Sequence, residues 1–210
     1  MHKAWLVRPI PHRENRLSEF KSNNIVAVGW PLIGDLSNKS RSDIKNILRE
    51  EPYNFSGLQL GNAYPSLDIL VNQMNLGDLV LIPNGDDIYF GKIDSDYIYD
   101  QSKDNDSEGY PHQRKIIFLN GPISRSTLPN DLRTSLKVRR TTADLSKHYD
   151  VIKQLSEGVR VHESVGDSKK FIDVEYPIRP NLSVKISLPE DISQSESNRL
   201  GDFIKTIYFK

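Results

Sequence analysis

The sequence contains no cysteine, which excludes a disulfide framework, a thiolate metal site and a cysteine nucleophile. Net charge is absent too, because 28 Lys and Arg residues offset 28 Asp and Glu residues. Without an overall positive field, any nucleic-acid role requires a local basic patch or a pocket for a base. No apolar run reaches membrane-spanning length, and the first residues lack the apolar core of a signal peptide. These absences predict a soluble, cytoplasmic protein.

Apolar periodicity predicts an α+β fold for residues 1–155. Short strands alternate with short helices, and the clearest local signal is Asn84-Gly85 between apolar runs at 79–82 and 88–93. Asn-Gly between two apolar strands is typical of a β-hairpin. Hairpin-linked strands separated by helical insertions indicate a small, mixed, mainly antiparallel β-barrel flanked by short helices.

The remaining residues divide into a linker and a small module. Residues 156–170 are polar and predict a linker. Residues 171–210 predict a C-terminal ββα module, because two alternating apolar strands precede a helix whose capping box is Ser193 and Glu196. A hairpin with one helix is marginally stable alone, so this module is expected to need a partner surface.

The stretch NIVAVGWPLIGDLS, residues 24–37, is the strongest candidate for a binding site. Its apolar residues 25–28 predict a core strand that breaks at Gly29 and presents Trp30 beside a polar loop. An aromatic ring at the end of a strand, next to such a loop, can form the wall of a pocket for a flat ligand. These residues alone also fit a core tryptophan that caps a small barrel.

Catalytic and cofactor motifs are missing. The sequence has no phosphate-binding glycine loop, no paired histidines and no nucleophile elbow. The acidic residues between 86 and 108 lack the spacing of a calcium loop, so they predict a solvated face. A nuclease core would need an acid two places before a strand lysine, whereas Phe90 precedes Lys92. We therefore predict no catalytic residue, no metal site and no cofactor.

One local basic cluster stands out within DLRTSLKVRR. It contains no acid between its first and last cation and consists of Arg133, Lys137, Arg139 and Arg140. Such a cluster can bind phosphates, but it also fits a solvated helix end whose cations favour the C-terminal dipole. The acidic loop at residues 100–109 would repel phosphate, so a bound nucleic acid is expected on the side of the basic cluster.

Six segments, taken together and in order, resemble a known family: AWLVRP, NIVAVGWPLIGDLS, LGDLVLIPNGDDIYFGKI, YIYD, YPHQRKIIFL and DLRTSL. Over residues 3–150 the chain resembles the EVE-like, PUA-superfamily domain found at the N-terminus of bacterial Mrr-type, modification-dependent restriction proteins. This resemblance implies a small barrel that holds a flipped, modified base in an aromatic-lined pocket. The implied base-pocket residues are Trp30 as one wall, Asp35 and Ser37 as edge-reading groups, and Tyr89, Tyr97 and Tyr99 as candidates for the second wall.

The resulting hypothesis is a binding module, not an enzyme, that recognises a modified base such as a methylated one. The expected partner is DNA rather than RNA, in a restriction or phage-defence setting, together with an effector nuclease or another defence protein. The alternative is a protein-interaction scaffold that recruits a separate nuclease or toxin without binding nucleic acid. A third hypothesis, a nuclease in its own right, requires metal-dependent cleavage by the isolated chain.

Overall fold

The computed structural model describes residues 2–159 and 171–207. The chain divides into two compact units, residues 1–162 and 163–210. Most of the predicted linker, residues 156–170, lies outside the described residues. Within the described ranges, no helix combines the length and the apolar character that crossing a membrane requires.

The first unit is built on one curled, half-barrel sheet of eight strands. In spatial order, six strands run β2-β6-β4-β3-β1-β8, while β5 pairs with β6 and β7 pairs with β4. β1 and β3 are parallel, and the other pairs are antiparallel. The strands are β1 (Ala4–Val7), β2 (Ile25–Val28), β3 (Leu79–Asn84), β4 (Asp87–Ile93), β5 (Ile98–Tyr99), β6 (His112–Phe118), β7 (Ile123–Ser124) and β8 (Thr142–Asp144).

Helices cover both faces of this sheet, which explains why β1 and residues 79–82 of β3 are apolar at every position. In β1, Trp5 and Val7 point into one hydrophobic cluster, whereas Ala4 and Leu6 point into the other. The covering helices are α1 (Leu17–Asn23), α2 (Arg41–Ile47), α3 (Gly57–Asp68), α4 (Asn130–Ser135) and α5 (Tyr149–Ser156). The predicted α+β class is thus confirmed.

The third helix begins earlier than the sequence pattern predicts. Proline favours the first turn of a helix, so a start near Pro65 was expected, but Pro65 lies inside α3. The chain continues as a π-helical turn at Ile69–Gln73. Arg114 on β6 holds this turn, because its buried guanidinium donates to the carbonyl oxygens of Leu70 and Val71 at 2.5 and 2.9 Å.

The second unit comprises β9 (Phe171–Arg179), antiparallel to β10 (Leu182–Pro189), and α6 (Gln194–Thr206). The predicted capping box is present, with Ser193 and Glu196 each bonding to the other's backbone N–H. The apolar residues of the hairpin remain exposed, including Tyr176 at 65%, and those of the helix include Phe203 at 61%. This unit therefore has little hydrophobic core of its own.

Candidate ligand cavity at the end of the second strand

A cavity of about 490 Å³ opens where β2 ends. Its volume lies within the range of roughly 300–1,000 Å³ that is typical of small-molecule sites. Aromatic and cationic side chains share its wall with small and aliphatic residues. The lining residues are Ile10, Pro11, His12, Arg13, Gly29, Trp30, Tyr53, Phe55 and Thr141.

The backbone around this cavity is strained. Four described residues other than glycine and asparagine have a positive φ, and all four belong to the cavity wall or its loop: His12, Arg13, Trp30 and Leu32. Trp30 has a φ of 65°, which is unfavourable for a bulky side chain. Such conformations cost of the order of 1–3 kcal/mol each and persist only where surrounding contacts fix them. Strained residues of this kind cluster at binding and active sites, which makes the Trp30 loop a candidate functional element.

A buried histidine fixes the carbonyl group of Trp30. His112 on β6 has no exposed surface, and its Nε2 lies 3.3 Å from the carbonyl oxygen of Trp30. Its Nδ1 lies 2.8 Å from the hydroxyl of Tyr97, which also accepts a bond from the N–H of Leu36. This network is satisfied when neutral His112 carries its proton on Nε2 and accepts from Tyr97 on Nδ1. Burial lowers the pKa of His112 to about 4, which favours this neutral form.

Two further side chains hold the same loop. Asp104, in the acidic loop, accepts from the backbone N–H of Leu32 and from the hydroxyl of Tyr99. Tyr53 donates from its hydroxyl to the carbonyl oxygen of Pro31 at 2.9 Å. Burial, followed by the charges of acidic residues nearby, raises the pKa of Tyr53, so it stays a neutral donor.

The rim formed by Pro11–Arg13 depends on two glycines, Gly29 and Gly109. The segment Pro11–Arg13 packs so closely on them that a Cβ at Gly29 would lie 2.8 Å from the backbone nitrogen of His12. A Cβ at Gly109 would meet the His12 side chain, and Gly109 also has a φ of 70°. Both positions therefore require glycine for the rim to keep its place.

Among the predicted aromatic residues of the base pocket, Trp30 lines the cavity and is only partly buried. Tyr97 and Tyr99 support the loop through their hydroxyl groups, bonded to His112 and Asp104 respectively. Burial, with the bond to Asp104, raises the pKa of Tyr99 to about 12. These two tyrosines thus contribute to the position of Trp30.

The other three predicted base-pocket residues lie outside this lining. Asp35 and Ser37 are exposed in the loop after Trp30, and Asp35 accepts from both the N–H and the hydroxyl of Ser37 at 2.8 Å. Tyr89 lies on β4, partly buried, with the ammonium of Lys21 5.4 Å from its ring centre.

The predicted phosphate-binding residues follow the start of α4. Arg133 is partly buried and donates to Asn130, whereas Lys137, Arg139 and Arg140 are exposed. The backbone between them is held by Arg8, which donates to the carbonyl groups of residues 136, 138 and 140. Across the described residues, no three His, Asp or Glu side chains group closely enough to hold a metal ion.

Seven of the nine lining residues were not predicted from the sequence: Ile10, Pro11, His12, Arg13, Tyr53, Phe55 and Thr141. A signal did exist for Tyr53 and Phe55, which lie two positions apart in the otherwise polar loop EEPYNFSG. Their rings contact each other, with centres 4.9 Å apart. His12 and Thr141 carry no comparable signal, because only folding brings them to this wall.

The fold and the cavity define an α+β protein with an aromatic-lined cavity at the end of one strand. The chain belongs to the family described as a domain of unknown function, DUF8426, whose sequence profile matches residues 5–145. That range contains every strand of the first unit except the first residue of β1. Neither the curated proteins nor the solved structures with which the chain was compared gave a match.

Proposed function

We propose that this chain binds nucleic acid by taking a flipped, modified base, such as a methylated one, into the cavity beside Trp30. The observation that carries the proposal is the cavity itself: a partly buried tryptophan on a strained, firmly held loop shares its lining with two further aromatic rings. The resemblance to the EVE-like, PUA-superfamily domain supports a base as the flat ligand, DNA in preference to RNA, and a PUA-like barrel.

Stacking on the aromatic rings of the cavity can offset the free-energy cost of flipping a base. Unstacking a base costs a few kcal/mol, and stacking on one aromatic ring returns about 1–3 kcal/mol. Trp30 and the Tyr53–Phe55 pair all line the cavity and offer rings for such contacts. A buried methyl group adds roughly 0.8 kcal/mol, so discrimination of a methylated base should be modest, about fourfold, unless polar groups add to it.

Binding of the full chain to fluorescein-labelled duplexes, with and without one methylated base, tests the proposal by fluorescence anisotropy. Trp30→Ala should weaken binding of the methylated duplex by roughly tenfold or more, as expected for the loss of a stacking contact. Trp30→Phe retains a ring and should recover part of the affinity. Tyr176→Ser, which changes an exposed aromatic residue of the second unit, is the matched control and should leave binding unchanged.

Equal, weak affinity for both duplexes, unaffected by Trp30→Ala, would contradict the proposal. Cleavage of the labelled duplex in the presence of Mg²⁺ would instead support the hypothesis of a nuclease.

The exposed apolar residues of the ββα unit favour a second candidate, a scaffold that recruits a nuclease or toxin partner. Val174 and Tyr176 are 42% and 65% exposed and lie two positions apart on β9, so they share one face of the strand. Exposed apolar patches commonly mark protein contacts. Under this alternative, the chain binds neither duplex and forms a stable complex with its partner on co-purification. Val174→Ser combined with Tyr176→Ser would then remove the complex.

A further inference from the structure

We propose that Arg41, Lys45 and Arg140, grouped around Tyr64, bind the phosphate backbone of the nucleic acid whose base enters the cavity. This inference rests on the proposed function and adds the path of the backbone across the surface. We name these residues the Tyr64 cluster.

Two members of the cluster, Arg41 and Lys45, contact the Tyr64 ring. The guanidinium carbon of Arg41 lies 5.2 Å from the ring centre, and the ammonium of Lys45 lies 5.5 Å from it. Arg41 also donates to the Tyr64 hydroxyl at 3.4 Å. This bond, together with the positive charges of Arg41, Lys45 and Arg140, lowers the pKa of Tyr64. One helix, α2, and the loop before β8 thus bring three cations toward a ring on α3.

These cations are available for an anion. Within residues 2–159 and 171–207, no carboxylate forms an ion pair with Arg41, Lys45 or Arg140. The nearest acid that acts on Arg41 is Asp68, which is buried and accepts from the side-chain amides of Asn72 and Gln73. A group of unpaired cations on an exposed surface is the usual arrangement for phosphate contacts.

The cluster lies beside the cavity because the same chain segments build both. Arg140 directly precedes Thr141, which lines the cavity, and Thr142 donates to the carbonyl oxygen of Ser66, two residues after Tyr64. On the other side, Phe55 lines the cavity just before α3 begins. Tyr64 lies two turns along α3, about 10 Å from its start at 1.5 Å per residue. A few nucleotides span this distance.

The charges around the cavity favour a backbone path toward the Tyr64 cluster over a path along the acidic loop. The Trp30 loop is bounded by Asp104, and Asp106 lies 3.9 Å from the ring of His12 on the rim. A polyanion that places a base beside Trp30 would be repelled by these carboxylates and attracted by the Tyr64 cluster. The path of the backbone is therefore directed from the cavity toward α2 and α3.

Arg41→Gln combined with Lys45→Gln tests the inference, using the methylated and unmethylated fluorescein-labelled duplexes at a series of NaCl concentrations. Removing two phosphate contacts should reduce the slope of log K against log salt by about 2, since each contact contributes roughly 0.9. The ratio of affinities for the two duplexes should stay the same, because phosphate contacts do not read bases. Lys115→Gln, which removes an exposed cation from β6, is the matched control and should leave the slope unchanged.

The outcomes separate the inference from the proposed function. A double variant that binds with the wild-type affinity and salt slope, while discrimination persists, overturns the inference and leaves the proposed function intact. Binding with a reduced slope in the double variant, but without discrimination in either protein, supports the phosphate path and contradicts the modified base. A wild-type chain that binds neither duplex overturns both.

Discussion

The buried histidine behind Trp30 should make the stability of the fold dependent on pH. Burial lowers the pKa of His112 to about 4, whereas its ordinary value is 6.5. Below pH 6.5 the unfolded chain therefore binds a proton at His112 that the folded chain binds only near pH 4. The stabilising contribution is fully present above pH 6.5 and is lost as the pH falls toward 4.

The magnitude follows from the two pKa values. The complete difference corresponds to about 3 kcal/mol, and the part lost between pH 7.5 and pH 5 is about 2 kcal/mol. His112→Gln removes the titrating group and keeps a side-chain N–H that can donate to Trp30. The free energy of unfolding of wild type should thus fall about 2 kcal/mol further than that of His112→Gln over this interval.

Urea unfolding followed by tryptophan fluorescence at both pH values measures this difference. The comparison between the two proteins cancels the carboxylates, which titrate in both. Lys115→Gln, at an exposed position of the same strand, is the matched control. If wild type and His112→Gln lose the same free energy between pH 7.5 and pH 5, then His112 is not buried in its neutral form, and the network that holds Trp30 is not as described.

Two further predictions concern packing. Arg114→Met should lower the free energy of unfolding, measured by urea unfolding, by about 2–4 kcal/mol, because three carbonyl groups lose a buried cationic donor. Lys115→Ala at the exposed neighbouring position should change it by less than about 0.5 kcal/mol. Gly29→Ala should displace the rim at His12 and weaken duplex binding in the anisotropy assay. At Gly61 a Cβ meets nothing within 4 Å, so Gly61→Ala should leave binding unchanged and stabilise α3 by up to about 1 kcal/mol. Wild-type binding by Gly29→Ala would mean that the rim does not shape the cavity.

The strands whose pattern depends on nearby residues could be predicted from the sequence. The apolar run of β1 and the alternation around Asn84-Gly85 depend on neighbours within a few positions, and both form strands. In the hairpin, however, Asn84 pairs with Asp87, so the turn is Gly85-Asp86, one residue later than the Asn-Gly signal predicts. Propensity locates the turn, whereas the register depends on which apolar side chains must face each buried cluster.

The candidate site was only partly predictable, because its wall is assembled from distant segments. Trp30 could be found, since a strand ends at Val28, two residues before it. His112 contacts it from 82 positions away, and nothing in the local pattern YPHQRKIIFL distinguishes this histidine from an ordinary strand residue. The acidic loop was likewise predicted as a solvated face, although Asp104 holds the backbone of Leu32. Such roles arise from tertiary contacts, which periodicity does not encode.

Trp30 packs partly against the core, but the strain of its backbone supports the proposed pocket over a purely core-filling role. A tryptophan that only filled a core would be free to adopt a relaxed backbone, with its ring wholly buried. Here a φ of 65° is maintained by hydrogen bonds from three separate parts of the chain, through His112, Asp104 and Tyr53, while the ring lines an open cavity. The folded chain thus bears a cost of about 1–3 kcal/mol to fix the ring before any ligand arrives. If a base stacks on Trp30 as proposed, it need not order the loop, so a site of modest contact area could still discriminate between bases.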